Sequence, residues 1–179
     1  CAGSLNISGA GTAITVSGDG IPKTINDGAI EDGAAISIVN RTGYKGLSNI
    51  EVEGGKFTAK GDNAAVKAYS WENQTASAFD NSKNVVAISG GTFSSAVDKS
   101  LCAGGYIPTQ NADGTYGVKE GADGYVEDEN GNVTISTAEG LFYFAKKVNA
   151  GNNFAGKTVT LANNIDLKDE LWTPIGVYG

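Results

Sequence analysis

Three ionisable residues in alternating segments have side chains that could act as a general acid, a nucleophile or a base. Glu51 and Glu53 are two positions apart in an alternating apolar–polar segment, and Lys67 lies in a second such segment. A glycoside hydrolase needs two carboxylates, one of them a general acid, and a lyase needs a basic side chain such as lysine. If Ile50 and Val52 point inward, alternation puts both glutamates on the outward face. Outward charges are usually a solvated face, so the sequence favours a non-catalytic protein over an enzyme.

Several other chemistries are excluded or disfavoured by composition. The chain has no histidine, which removes the commonest general base and metal ligand and rules out a Ser-His-Asp triad. Its Gly-Gly pairs are not followed by the Gly-Lys-Ser/Thr signature of a phosphate loop. The segment Asp128–Asn132 has oxygen ligands around a glycine but lacks the regular Asp spacing of a calcium loop. We therefore predict a turn there, and we expect neither a metal nor a cofactor.

The best binding candidate is an insertion, Ser70–Asn84, with Tyr69 at its base. A flat aromatic ring can stack on a sugar, while amide and carboxylate groups supply directional hydrogen bonds. The alternative is that Trp71 and Phe79 only pin the insertion onto the edge of the fold. The candidate ligand-binding residues are Tyr69, Trp71, Asn73, Gln74, Phe79 and Asp80.

The charge balance restricts the partners. The net charge is −7 and the isoelectric point is near 4.5, whereas nucleic acids and anionic membrane surfaces require clustered Lys and Arg. Arg41 is the only arginine, so the chain has almost no side chain that could bind a phosphate through two parallel hydrogen bonds. No apolar run approaches the roughly 20 residues of a membrane span. We therefore expect no nucleic-acid partner and no membrane span.

The elements that must position these residues are short strands. Ile50–Phe57 and Val86–Phe93 repeat one pattern, 36 residues apart, in which alternating residues lead to Gly-Gly and then to phenylalanine. Such a period indicates stacked units. Two kinds of strand alternate along the first hundred residues. The first kind comprises Leu5–Ile7, Thr24–Ile25, Ile50–Val52 and Val86–Ile88, and the second comprises Ala13–Val16, Ala35–Ile38 and Ala65–Ala68.

The repeated unit is a pair of strands rather than a hairpin, which favours a coil of a parallel β-solenoid. An antiparallel sandwich would show evenly spaced strands with hairpin turns and is the alternative. Tyr106–Pro108 and Asn111–Val118 predict a hairpin, with Asp113 and Gly114 at its turn, that closes the stack. This gives a β-helix segment over residues 1–118 and a polar, Gly-rich linker over 119–132.

A second module is predicted over residues 133–179. Ser136 and Glu139 form a capping box at the start of a helix of about 137–149, which Asn149 and Gly151 end. The helix has an apolar stripe at helical spacing and can cover the open end of a new stack. The short strands predicted around it are Val133–Ile135, Thr158–Leu161 and Asn164–Leu167.

Cys1 and Cys102 leave three readings open. A disulfide between them would close a very long loop, but sequence alone does not establish a pairing. Two unpaired thiols are the second reading. The third is that Cys1 is the lipid-modified first residue of a mature bacterial lipoprotein, since small residues follow it. We expect the chain to be a mature or excised piece of something longer, since no signal peptide is visible.

Two strings of residues resemble segments of large surface proteins of gut, mainly Gram-positive, bacteria, which are built on right-handed parallel β-helices of the pectin-lyase-like type. The first string comprises Ile88–Phe93, Tyr106–Pro108 and Asp113–Val118. The second comprises Ile135–Glu139, Phe144–Ala145, Val148–Gly151, Phe154, Gly156–Val159, Asn164–Leu167 and Trp172–Gly176. In the similar proteins the last element is followed by further coils, so the resemblance implies an incomplete second module.

The fold class we predict is all-β, a right-handed parallel β-helix followed by a small capping helix and short strands that begin a second β-helical module. The resemblance implies an extracellular location, at the bacterial cell surface or secreted. It implies a non-catalytic, adhesin-like stalk whose corner loops bind a glycan or host surface ligand, joined to neighbouring modules of a longer parent chain. The alternative function is a fragment of a carbohydrate-active enzyme, a polysaccharide lyase or glycoside hydrolase on a β-helix.

Overall fold

The computed structural model describes residues 3–20, 32–41, 43, 46–73, 75–168 and 170–176. Strands account for 37% of the chain and helix for 9%, which confirms the predicted all-β class. The chain divides into two compact units, Cys1–Glu120 and Gly121–Gly179.

The first unit is built from short strands joined by turns, as the many Gly, Asn and Ser residues between apolar runs predict. Its strands are β1 (Gly3–Ile7), β2 (Ala13–Thr15), β3 (Ile36–Arg41), β4 (Leu47–Val52), β5 (Lys56–Thr58), β6 (Val66–Glu72), β7 (Thr75–Ala78), β8 (Val86–Ile88), β9 (Thr92–Phe93), β10 (Tyr106–Gln110) and β11 (Tyr116–Glu120). A 3₁₀ turn, Lys99–Leu101, is capped by the Asp98 carboxylate.

Parallel pairing dominates the first unit. β1, β4 and β8 form one parallel ladder, in which Ile7 pairs with Val52 and Val52 with Ile88. The strands of the predicted first kind at 5–7, 50–52 and 86–88 are therefore confirmed as neighbours with one direction. The remaining strand of that kind, Thr24–Ile25, lies outside the described residues.

The predicted second kind of strand is wrong as a single set. β2 pairs in parallel with β5, and β5 with β9, so Ile14 lies beside Phe57 rather than beside Ile36. β3 and β6 instead pair with each other, placing Ile36 opposite Val66. The reason is that the residues after each Gly-Gly pair form strands of their own, β5 and β9. β2 pairs with β5 and therefore belongs to a separate ladder from β3 and β6.

The core of the first unit is a set of aliphatic and aromatic columns. Val52 and Ile88 are both fully buried one above the other. Phe57 and Phe93 are also fully buried, and their rings stack with centroids 5.1 Å apart and planes 16° apart. Burying one such side chain contributes about 1.5–3 kcal/mol to the stability of the fold. The repeated positions of the sequence are therefore also important packing positions of the core.

The Gly-Gly pairs of the repeat have a steric reason. Gly55 and Gly91 have φ of 105° and 113°, a region in which residues with a Cβ are strained. At Gly90 a Cβ would overlap the backbone carbonyl of Glu53, on the neighbouring turn of chain. The first glycine therefore lets successive corners approach closely, and the second permits the bend into the next strand.

Two antiparallel hairpins complete the first unit. β6 and β7 pair antiparallel, so part of the predicted corner insertion is an extension of the β3–β6 ladder. β10 and β11 form the predicted hairpin, with the Asp113 carboxylate accepting hydrogen bonds from the amide and hydroxyl of Thr115 at the turn. β11 also pairs antiparallel with β9, through Phe93 and Tyr116, and so covers the last strand of that ladder.

The second unit has a small sheet and one helix in its described part. Its elements are β12 (Tyr125–Glu127), β13 (Val133–Ile135), α1 (Ala138–Asn149) and β14 (Val159–Leu161). β12 is antiparallel to β13 and β14 is parallel to it. β12 lies within the stretch predicted as a linker, which is therefore partly strand. The predicted strand Asn164–Leu167 is wrong, because this segment leads into a turn at Lys168, where φ is 51°.

The predicted helix is confirmed, but its cap is one residue later than expected. The Thr137 hydroxyl, not that of Ser136, accepts a hydrogen bond from the Gly140 amide at 3.0 Å. Ser136 still belongs to the end of the strand, since its amide donates to the Gly124 carbonyl. The helix packs Phe144 against Val133 and Ile135, with Leu141, Val148 and Phe154 at the edge of this second core.

Candidate functional site

The polar face of the β3–β6 ladder is the candidate functional site. Ile36, Ile38 and Val66 point into the core. Because side chains alternate along a strand, Ser37, Lys67 and Tyr69 lie on the opposite, outward side. Ser37 pairs directly with Lys67 in the ladder. Together with Asp32, which precedes β3, these residues are called the polar face.

Asp32 is the hydrogen-bonding centre of the polar face. Its Oδ2 accepts hydrogen bonds from the Ser37 hydroxyl at 2.7 Å and from the Tyr69 hydroxyl at 3.2 Å. Its Oδ1 accepts from the Ala34 amide at 2.9 Å. Lys67 Nζ donates to the main-chain carbonyl of Asp32 at 3.0 Å. The face therefore presents a carboxylate, an ammonium, a hydroxyl and a phenol ring. Hydrogen bonds to Asp32 hold these groups in place.

The phenol of Tyr69 stays protonated at neutral pH. Partial burial raises its pKa above the ordinary value of 10.0, and the nearby negative charge of Asp32 acts in the same direction, while a hydrogen bond with Ser37 opposes the shift. A protonated hydroxyl can both donate and accept hydrogen bonds. Sugar hydroxyls have the same dual character, so this face matches them chemically.

The remaining predicted ligand-binding residues do not add to the polar face. Trp71 follows Tyr69 by two residues on β6 and lies on the same side of the strand, but it is buried. Trp71 is only 4% exposed, and a buried indole leaves no free face for a sugar ring. Phe79 is half-buried and packs against the core cluster. These two aromatic residues therefore hold the β6–β7 region in place, as the alternative interpretation of the insertion expects.

Asn73 and Asp80 are exposed and shape turns. Asn73 has φ of 49° at the tip of the β6–β7 hairpin, where its carbonyl accepts a hydrogen bond from the Thr75 hydroxyl. The Asp80 carboxylate accepts from the Ser82 amide at 2.9 Å, and hydrogen bonding to Ser82 lowers the Asp80 pKa. Gln74 lies outside the described residues. Among the described residues of the hairpin tip, Asn73 thus exposes its amide side chain.

Of the three ionisable residues first considered for catalysis, Glu51 and Glu53 lie together at the end of β4, and Lys67 is separated from both. Glu51 lies on β4, where its carboxylate accepts a hydrogen bond from Asn6 at 2.9 Å, and hydrogen bonds from Asn6 and Asn49 lower its pKa. Lys67 lies on β6 of another sheet. Its ammonium contacts a main-chain carbonyl of Asp32 rather than a carboxylate. Lys67 is therefore not positioned to act as a base beside Glu51.

The turn at Asp128 is the one predicted from its sequence. The Asp128 carboxylate accepts hydrogen bonds from the amides of Asn130 and Asn132 and from the Asn132 side chain, and these bonds lower its pKa. In the part of the chain that the structure describes, no group of three or more Cys, Asp or Glu side chains is placed to hold a metal. Cys1 lies outside that part, so a disulfide with Cys102, unpaired thiols and a lipid-modified Cys1 all stay as the alternative predictions made from the sequence.

Asp32 and Ser37 were missed by the sequence interpretation. The sequence does carry a signal for both, since Asp32-Gly33 is a turn pair placed just before an alternating strand. Alternation also makes Ser37 an outward residue between two isoleucines. What the sequence lacks is the β3–β6 register, which brings Lys67 and Tyr69 next to these two residues.

Comparison with known proteins adds no relative. No family model matches the chain, no curated protein is significantly similar to it, and no solved structure resembles it significantly. Within the described residues, none of the helices has the length and apolar character needed to cross a membrane.

Proposed function

We propose that the first unit is a segment of a right-handed parallel β-helix and that the chain is a non-catalytic part of an extracellular bacterial surface protein. In this role the stacked coils serve as a stalk, and the polar face serves as an adhesive surface for a glycan or host ligand. Neighbouring modules of a longer parent chain are its other expected partners.

The observation that carries this proposal is the in-register stacking of like residues along parallel ladders. Val52 lies on Ile88 and Phe57 on Phe93, each pair 36 residues apart, as in one turn of a repeating coil. Successive coils pair all their strand backbone groups with their neighbours. Such a stack is suited to a long, protease-resistant element, and it supports a stalk better than a closed binding cavity.

Support for an adhesive surface comes from the chemistry of the polar face. Tyr69 offers a ring and a hydroxyl, and Asp32 and Lys67 offer a carboxylate and an ammonium close by. Carbohydrate recognition combines stacking with directional hydrogen bonds. Asn73, at the tip of the hairpin that continues the same ladder, adds an exposed amide. The separation of Glu51 from Lys67 favours this non-catalytic role over the alternative of a lyase or hydrolase fragment.

A glycan panel tests the adhesive role. The chain is screened for binding to bacterial and host polysaccharides, and hits are measured by calorimetry with wild type and two variants. Tyr69→Phe removes only the hydroxyl that donates to Asp32, and Asn73→Gly removes the amide while keeping a residue that accepts positive φ. We expect each variant to bind at least about fivefold more weakly, because a lost hydrogen bond costs roughly 1 kcal/mol.

The matched control is Glu51→Gln, which changes a partly exposed polar residue on a different sheet and should bind like wild type. Equal binding by wild type, Tyr69→Phe and Asn73→Gly would refute the assignment of the adhesive surface. Release of reducing or unsaturated sugar ends from any polysaccharide would refute the non-catalytic role in favour of the enzyme fragment.

A further inference from the structure

The two hydroxyl groups of the polar face have their protons committed to one carboxylate oxygen. Ser37 Oγ donates to Asp32 Oδ2 at 2.7 Å, and Tyr69 Oη donates to the same oxygen at 3.2 Å. A hydroxyl group carries one proton and two lone pairs. Each of these two oxygens can therefore accept a further hydrogen bond, but neither has a proton left to donate to a ligand.

Asp32 sets this hydrogen-bond polarity. An ionised carboxylate only accepts hydrogen bonds, so it holds both hydroxyl protons and returns none. The carboxylate is kept in its orientation by the Ala34 amide, which donates to Oδ1 at 2.9 Å. Asp32 is therefore a positioning residue, which acts through Ser37 and Tyr69 to make the face an acceptor of hydrogen bonds at these two positions.

Lys67 supplies the opposite polarity beside the two acceptors. It pairs with Ser37 in the ladder, and Tyr69 follows it by two residues on the same side of β6. Its ammonium group has three protons and no lone pair, and one proton goes to the Asp32 carbonyl at 3.0 Å. Ser37 is exposed, and Lys67 and Tyr69 are partly exposed. The face thus offers two acceptors and one donor to a ligand.

We propose that the polar face selects a sugar with two free hydroxyl groups, whose protons go to Ser37 and Tyr69, while Lys67 donates to a third oxygen of the same ligand. Both acceptor oxygens are hydrogen-bonded to one oxygen of Asp32, so they lie close together and match two hydroxyl groups of one sugar ring. This inference rests on the proposed glycan-binding function, and it adds which groups of a glycan the face recognises.

The same polarity predicts which sugars the face rejects. An O-methylated sugar keeps its oxygen at each position but has lost the proton that Ser37 or Tyr69 accepts. A site built to bond a hydroxyl group discriminates strongly against an analogue that lacks the bond, because the polar atoms of the site are then left unpaired. We expect each methylation at a recognised position to weaken binding at least about fivefold.

The test uses the methyl glycosides of mannose, galactose, glucose and N-acetylglucosamine, each with its mono-O-methyl ethers, titrated against the chain by NMR. We expect a parent glycoside to bind wild type and two of its ethers to bind at least about fivefold more weakly. Methylation also adds bulk, so the loss in wild type alone does not identify a hydrogen bond. Measuring the same ethers with a variant of reversed polarity cancels the steric contribution.

Asp32→Asn provides that reversed polarity. The Ala34 amide needs an acceptor, so the new side-chain carbonyl takes the place of Oδ1 and the amide nitrogen takes the place of Oδ2. That nitrogen donates to Ser37 and Tyr69, whose protons are then free to bond an ether oxygen. The ratio of parent to ether binding should therefore fall at least about fivefold. Glu51→Gln makes the same carboxylate-to-amide change on another sheet and should keep the wild-type ratio.

Ser37→Ala is a second variant, which removes one acceptor and leaves Asp32 in place. It should lose the discrimination at one of the two ether positions and keep it at the other, and circular dichroism checks that each variant is folded. The inference is overturned if no parent glycoside binds, if wild type binds parent and ethers equally, or if Asp32→Asn keeps the wild-type ratio. The polysaccharide panel decides the glycan-binding function separately, so that function can stand when the selection of free hydroxyl groups fails.

Discussion

The two units use the same parallel pairing, but they differ in what lies over the last strand. In the first unit β9 is covered by β11, and Phe93 is fully buried. In the second unit β14 has no strand over its outer edge within the described residues, and Leu161 is more than half exposed. Phe93 and Leu161 each continue a column of apolar side chains from the strand with which their own strand pairs in parallel.

The difference shows that burial of a column residue depends on the next strand along the stack. Phe57 is covered on one side by Ile14 of β2 and on the other by Phe93 of β9, whereas Leu161 has only Ile135. Since apolar burial contributes roughly 25 cal/mol per Å², a residue inside the stack should stabilise its unit far more than one at its end. Substitutions at matched positions can test this directly.

The largest expected effect is at Phe57. Phe57→Ala removes a fully buried ring that stacks on Phe93 and should lower the free energy of unfolding of the first unit by about 3–5 kcal/mol. Leu161→Ala should cost less than about 1 kcal/mol, because Leu161 is already 57% exposed. Urea unfolding monitored by segment-resolved hydrogen exchange measures both. Equal costs at the two positions would contradict the comparison.

A smaller effect is expected at the corners between coils. At Gly90 an added Cβ overlaps the carbonyl of Glu53, so Gly90→Ala should destabilise the first unit by about 1–3 kcal/mol, as overpacking of a close contact does. At Gly104 an added Cβ meets no atom within 4 Å, and Gly104→Ala should stay within about 0.5 kcal/mol of wild type. The urea midpoints of the two variants give the difference. If both variants unfold like wild type, the corners are not the close contacts described above.

Features with a local sequence cause were predictable. Strict alternation identified β1, β4 and β8, and the Asp113-Gly114 pair identified the closing hairpin, because strand period and turn chemistry act over a few residues. The helix followed from its apolar stripe. The cap at Thr137 was missed by one position, because Ser136 is also a good capping residue and only the pairing of β13 decides which of the two begins the helix.

Features that depend on register were not predictable. Ile14 and Ile36 lie in equally regular strands, but Ile14 pairs with Phe57 and Ile36 with Val66. No local property of those strands distinguishes the two outcomes. The same limit applies to the candidate site, since Lys67 and Tyr69 meet Asp32 only through the β3–β6 register. It also applies to Trp71, whose burial is a tertiary property that its exposed, polar sequence neighbours do not indicate.

The second unit allows a direct test of whether Thr137, and not Ser136, caps its helix. Thr137→Ala removes the hydroxyl that accepts from the Gly140 amide and donates to the Asp123 carbonyl, and it should cost about 1 kcal/mol, as cap removal usually does. Ser136→Ala removes a hydroxyl that does not cap the helix and should cost less. Hydrogen exchange of the α1 amides at neutral pH reports both variants. A larger loss in Ser136→Ala would restore the cap that the sequence predicts.

The smallest effect expected is a pH dependence confined to the second unit. The Glu127 carboxylate accepts hydrogen bonds from the Tyr125 hydroxyl at 2.8 Å and Lys147 Nζ at 3.0 Å, and these bonds lower its pKa below the ordinary 4.5, Tyr125 contributing most. A lowered pKa in the folded state means that the stabilisation is present above pH 4.5 and is lost as the pH falls through the lowered value. Its size should be below about 1 kcal/mol, because the Glu127 side chain is 40% exposed.

Glu127→Gln should therefore be less stable than wild type at about pH 6.5, and the difference should shrink at about pH 3, because the wild-type carboxyl becomes protonated as the pH falls through its lowered pKa. Urea unfolding of wild type and variant at both pH values measures this. Glu129→Gln, which changes an exposed glutamate two residues along the chain, is the control for the loss of one negative charge. A difference that persists unchanged at low pH would mean that the charge of Glu127 is not what stabilises the second unit.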